Sequence, residues 1–177
     1  MTEITRRPSL TGISVSLVAA AVGFVGVGVA SAGAVAPAAL GVVVLAVGVF
    51  VASRRLVTLG TTALFAGVLY AGAQGGAAEP LLVAALGTVV SWDAGEYAIG
   101  VGEQLGRDAE TARLTLVHSA TTLLVGVVGI AVTYAAYLSV GGGQPIAVLV
   151  LLLLGVVALV AALRGGRDEG RRVRRGR

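Results

Sequence analysis

Six predominantly apolar runs alternate with short polar breaks along the chain, at about 10–30, 34–52, 56–73, 80–102, 112–139 and 144–163. Apolar and polar residues do not alternate singly within them, which argues against barrel strands and predicts helices. At about 1.5 Å per residue each run reaches about 30 Å, the thickness of a bilayer's hydrocarbon core. The breaks fall at Ser31 to Pro37, at Ser53-Arg54-Arg55, at Gln74 to Pro80, near Gly106 to Glu110, and at Gly141-Gly142-Gly143-Gln144-Pro145. Gly and Pro are the expected punctuation, and loops this short predict antiparallel hairpins. The expected fold is all-α: a polytopic transmembrane bundle of six helices over 1–163, followed by a tail at 164–177.

Composition agrees with the pattern. The 177 residues are 56% hydrophobic and 12% charged, with a mean hydropathy of +0.95. A soluble domain carries about 25% charged residues. The chain has no Cys, which excludes disulfides and Cys-ligated metal. The bilayer itself is the first expected partner.

Charge adds a direction. All 13 basic residues are Arg. They occupy Arg6 and Arg7, Arg54 and Arg55, Arg107 and Arg113, and the segment from Arg164 to Arg177; the first, third and fifth loops hold none. Six spans with both termini cytoplasmic put every Arg on the inner side, the expected arrangement for a multi-pass plasma-membrane protein. The tail sets seven Arg against Asp168 and Glu169. It reads as disordered and topology-fixing. No aromatic residue interleaves the basic ones, so no nucleic-acid partner is expected. The start, Thr5-Arg6-Arg7-Pro8-Ser9-Leu10, looks somewhat like a twin-arginine signal, with Ala30-Ser31-Ala32 as a cleavage site. The apolar run between them exceeds a signal core of about 7–15 residues, which favours an uncleaved anchor.

The candidate chemistry lies between Trp92 and Thr122. This segment holds Asp93, Glu96, Glu103, Asp108 and Glu110, five of the nine acidic residues, with the single Trp and single His. Asp93, Glu96, Gly100, Glu103 and Arg107 are spaced three, four, three and four, one stripe on a helix. Thr111, Thr115, His118 and Thr122 form a second. A hairpin about Arg107 and Asp108 places Glu103 opposite Arg113, Glu96 near His118 and Asp93 near Thr122. With a boundary near Glu103, Glu96 lies about 10 Å and Asp93 about 15 Å into the membrane. An unpaired Asp at that depth costs about 3 kcal/mol, against about 0.5 returned by one Leu or Val. Asp93, Glu96 and His118 are therefore candidates for proton or cation handling, with Glu103, Arg113 and Thr122 beside them. In the other reading the fourth span ends at Trp92, an interfacial anchor, and Asp93 to Arg113 is a cytoplasmic amphipathic helix. Both readings stay open.

Other signals exclude more than they offer. Gly23, Gly26 and Gly28 suit close helix packing. Gly100, Gly102 and Gly106 lack the spacing and preceding strand of a dinucleotide fingerprint. No HExxH, His cluster or nucleophile triad occurs, so neither enzyme activity, cofactor nor metal is expected.

The segment Trp92-Asp93-Ala94-Gly95-Glu96, then Gly102-Glu103-Gln104-Leu105-Gly106-Arg107, Glu110-Thr111-Ala112-Arg113 and Val117-His118, resembles uncharacterised membrane proteins of halophilic archaea. The resemblance implies a multi-pass plasma-membrane protein with an accessory role and no assigned activity. Two functions follow. One is a non-catalytic accessory or scaffold subunit docking other membrane proteins through its cytoplasmic 93–113 hairpin. The other is a small proton- or cation-coupled transporter or channel using Asp93, Glu96 and His118.

Overall fold

The computed structural model describes residues 8–105 and 112–139. They form α1 (Leu10–Ala30), a single 3-10 turn (Ala32–Ala34), α2 (Val35–Phe50), α3 (Arg54–Ala73), α4 (Ala78–Leu105) and α5 (Ala112–Ser139). Each of the first five expected spans falls on one helix. The sixth span (144–163), the tail (164–177), Arg6, Arg7 and the turn holding Arg107, Asp108 and Glu110 lie outside the described residues. Residues 1–130 make one compact unit. The second unit begins at Ala131, and its described part is the last helical stretch through Ser139.

Helix ends follow from local chemistry. Ser9 and Ser53 cap α1 and α3, their hydroxyls accepting from the backbone N–H groups of Gly12 and Leu56 at 3.2 and 3.5 Å. Each satisfies one of the N–H groups that a first turn leaves free. Helices α2 and α3 close alike. The Ser53 N–H donates to the Gly48 carbonyl and the Ala52 N–H to that of Val49; the Gly76 N–H donates to Ala71 and the Gly75 N–H to Gly72. This double closure needs a left-handed residue after the helix. Gly75 supplies it at φ +81°, but the other is Ala52 at φ 55°. Pro37 and Pro80 were expected to mark breaks. Both instead sit inside first turns, where a missing N–H has no intrahelical partner to lose.

Helices α1 to α4 close a ring of antiparallel neighbours, with α1 most intimate with α4 and α2 with α3. Glycine sets the spacing. A Cβ on Gly60 would land in the backbone of Leu45, and one on Gly41 in that of Leu64. On the other pair, Gly87 faces the Gly23 backbone, and Gly26 faces the Pro80 carbonyl at 2.8 Å from where its Cβ would be. Gly28, grouped with Gly23 and Gly26 by sequence, has only Val35 Cγ2 near it, at 3.8 Å. Close backbone approach, with buried Val27, Leu45, Val49, Val57 and Leu64 between the helices, is how apolar helices associate where lipid offers no hydrophobic drive.

Among the described residues four helices (α1, α2 with its leading turn, α3 and α5) are long and apolar enough to cross a membrane. Expected to be a fifth, α4 is not among them. It carries Glu79, Asp93, Glu96 and Glu103 and is held against α1, α3 and α5 instead. Its small residues Ala84, Gly87, Thr88, Ser91, Ala94, Gly95 and Ala98 are buried.

Ala52→Gly is expected to stabilise the protein by about 0.5–1 kcal/mol, since glycine enters the left-handed region without the Cβ penalty. Unfolding of both variants in the same detergent checks this; an unchanged or lowered midpoint would show that Ala52 is not strained.

Candidate functional site

The acidic stripe of α4 divides between two neighbours. At about 100° per residue the stripe drifts, so Asp93 and Glu103 point about 80° apart. Asp93 turns toward α5, whereas Glu96, Gly100 and Glu103 turn toward the first turn of α3.

Arg54 meets the second group. Its Nη1 donates to Glu96 Oε2 and its Nη2 to Glu103 Oε2, each at 3.0 Å. One guanidinium thereby bridges carboxylates two turns apart. Gly100 lies between them, and a Cβ there would sit 3.3 Å from Arg54 Nη2, so the absent side chain leaves room for the fork. A cation in a first helical turn opposes the helix dipole; the two carboxylates offset that. The Arg54 and Glu103 side chains are 47% and 55% exposed and Glu96 is 22% exposed, so the Glu96 arm is the better shielded.

Asp93 meets α5. Thr122 Oγ1 donates to its Oδ2 at 2.7 Å. His118 Nε2 lies 2.9 Å from the same oxygen. That is ion-pair distance, but the ring N–H is not aligned on the oxygen, and Nε2 is buried without a hydrogen bond. The Tyr97 ring stacks on the imidazole, with centroids 4.0 Å apart and planes 11° from parallel. A carboxylate and an imidazole at this distance can hold and pass a proton. Behind them, Ser16 Oγ of α1 donates to the Ser91 carbonyl at 2.8 Å, a buried bond across the α1–α4 contact. Among the described residues no three of His, Asp and Glu converge as a metal-binding group.

Depth can be read against α1. Gly12 lies beside Ala98 and Gly23 beside Gly87 and Thr88, so Asp93 is level with about residue 17 and Glu96 with about residue 14. Measured along the bundle, Asp93 is then about 10 Å and Glu96 about 6 Å from the level of Leu10. The chain from Asp93 to Leu105 is continuous with the rest of α4.

Of the pairs expected from sequence, the structure brings Asp93 to Thr122. It gives His118 to Asp93 instead of Glu96, and Glu103 to Arg54 instead of Arg113. The ion pairs among the described residues leave Arg113 out. The α4–α5 register is close to the expected one; rotation makes the difference, since Glu96 sits about 60° around the helix from Asp93 and meets Arg54 first. Sequence reasoning placed Arg54 in a loop. Counting back through the Gln74–Pro80 turn would have set it opposite residues 98–103. Tyr97 lies between stripe positions, and nothing in the spacing marks it.

A family model described as "Family of unknown function (DUF7519)" matches residues 6–160, a range that includes every residue of this site. No curated protein and no solved structure matches the chain.

Arg54→Ala and Glu96→Gln are expected to couple by about 0.5–1 kcal/mol in a double-mutant cycle read by unfolding in detergent, the range for partly exposed ion pairs. Arg113→Ala with Glu103→Gln is expected to be additive. Coupling in the second cycle and none in the first would reverse the assignment.

Proposed function

The chain belongs to the DUF7519 family of unknown function, and from its geometry we propose that it is an integral membrane protein acting as a non-catalytic accessory or scaffold subunit of a membrane complex. One observation carries the reading: Asp93, Glu96 and Glu103 are engaged in joining the chain's own helices. Arg54 ties α3 to α4 through Glu96 and Glu103, and Asp93 ties α4 to α5 through His118 and Thr122. Beyond Thr122 the helices touch through Leu86 against Gly126, and α1 meets α4 through Gly23, Gly26 and Gly87. Among the described residues Arg54, Asp93, Glu96 and Glu103 thus lie in one half of the bundle, and Glu79 lies at the other end of α4.

The Arg distribution favours placing the end that carries Arg54, Arg55 and Arg113 in the cytoplasm of the cell, with both termini on that side. Arg55, Glu103 and Arg113 are exposed there and form the docking edge for other membrane proteins. Asp93 and Glu96, which are less exposed, are not part of it.

A second reading, a small proton- or cation-coupled transporter or channel, draws on the meeting of Asp93, His118 and Thr122 about 10 Å along the bundle. The two readings separate experimentally. Purification from native membranes in mild detergent is expected to recover a reproducible partner, lost in the Glu103→Ala, Arg113→Ala double variant. Proteoliposomes holding the protein alone are expected to show no proton or cation flux. A protein that runs alone, with flux abolished by Asp93→Asn, would replace the first reading with the second.

A further inference from the structure

Side chains hold α5 to the ring. Within the ring α1 meets α4, and α2 meets α3, at glycines whose backbones lie against the facing helix. Helix α5 meets α4 through Thr122 and His118 on Asp93, through the stack of His118 on Tyr97, and through Leu86 against Gly126. His118 takes part in two of these contacts, so the charge on its ring bears on the seating of the helix.

The geometry at His118 suits a cation better than a neutral ring. Its Nε2 stands 2.9 Å from Asp93 Oδ2, yet it makes no hydrogen bond. A neutral imidazole with its proton on Nε2 gains little from a donor aimed off the acceptor. One with its proton on Nδ1 turns a lone pair toward a carboxylate oxygen, which repels it. An imidazolium is attracted at this distance whatever the angle, since attraction between charges has no preferred direction. It also lies flat on Tyr97, with centroids 4.0 Å apart and planes 11° from parallel, over the negative face of that ring. The neutral polar groups beside it do not help. The hydroxyls of Thr115 and Ser119 are buried and bond nothing, a cost of seating α5 that the charged pair offsets.

Asp93 and Tyr97 of α4 are the titratable groups against the imidazole. Helix α3 offers Arg54, which holds Glu96 and Glu103, and the exposed Arg55. Helices α1 and α2 carry no ionisable side chain. Arg113 lies on α5 itself, about 140° around the helix from His118.

We propose that a single proton on His118 latches α5 to the ring. Protonated, His118 holds the ionised Asp93 and α5 stays seated on α4; when the proton leaves, the ion pair is lost and α5 separates from α4 at this level. The latch is closed below the pH at which His118 gives up its proton and open above it, and protonation of Asp93 in stronger acid opens it again. It requires no ion flux and stands under either function. Arg113 rides on α5, so the latch also sets how far that residue stands from Glu103.

The Cys-free chain accepts a pair of spin labels at Val43→Cys on α2 and Val125→Cys on α5, both exposed and outside the contact. Double electron–electron resonance on the full chain in bilayers reads their separation between about pH 5 and 9, across the range where imidazoles titrate. His118 is the single His, so 15N-histidine NMR on the same chain follows its protonation alone. The ratio of short to long separations is expected to fall about fivefold as His118 deprotonates, the worth of a strong, partly exposed ion pair, with one midpoint for both measurements. In His118→Gln, whose amide donates but does not titrate, the separation is expected not to vary with pH. A separation that stays constant while His118 titrates overturns the latch. So does a His118 that does not titrate across the range, or a pH response that survives in His118→Gln. Should that variant fail to fold, the coincidence of the two midpoints decides alone.

Discussion

A helix bearing Asp93, Glu96 and Glu103 stays inside an apolar bundle only if each carboxylate finds a donor. That requirement organises the polar half of the molecule. Unpaired, such groups resist removal from water by several kcal/mol. Arg54 answers two of them from the first turn of α3, and His118 with Thr122 answers the third from α5. Helix α4 therefore packs in the bundle despite its charged residues, and its position links the ring of α1 to α4 with α5.

The contacts of the ring obey a different rule. Gly41, Gly48, Gly60 and Gly67 bring α2 and α3 together, and Gly23, Gly26 and Gly87 bring α1 to α4, at separations a Cβ would forbid at most of these positions. Dispersion and backbone proximity hold these contacts. Helices α4 and α5 are held by side chains instead. Glycine contacts within the ring and side-chain ties to its charged helix make the contrast from which the scaffold reading arises.

Much of this was legible in the sequence. The boundaries of α1, α3 and α5 follow from where apolar runs meet Ser, Gly and Gln, because backbone polar groups in lipid leave helices as the simplest solution. The stripe from Asp93 to Glu103 and its facing stripe from Thr115 to Thr122 were likewise visible as spacing. The placing of Pro37 and Pro80 inside first turns was not, since a proline reads as a break unless the turn around it is known. Ala52 gave no hint of its left-handed backbone, which the Ser53 and Ala52 N–H bonds to Gly48 and Val49 impose.

By itself the sequence determined that the described chain forms long apolar helices, where they turn, and which residues share a helical face, because these depend on periodicity and on local backbone chemistry. Only the tertiary structure decided which charge meets which. The choice between His118 and Arg54 for Glu96, or between Arg54 and Arg113 for Glu103, turns on about 60–80° of helix rotation and on which helix stands next in the ring. Spacing along one helix carries neither quantity. The same is true of the unpartnered Thr115 and Ser119: a hydroxyl's want of a bond exists only once its neighbours are in place.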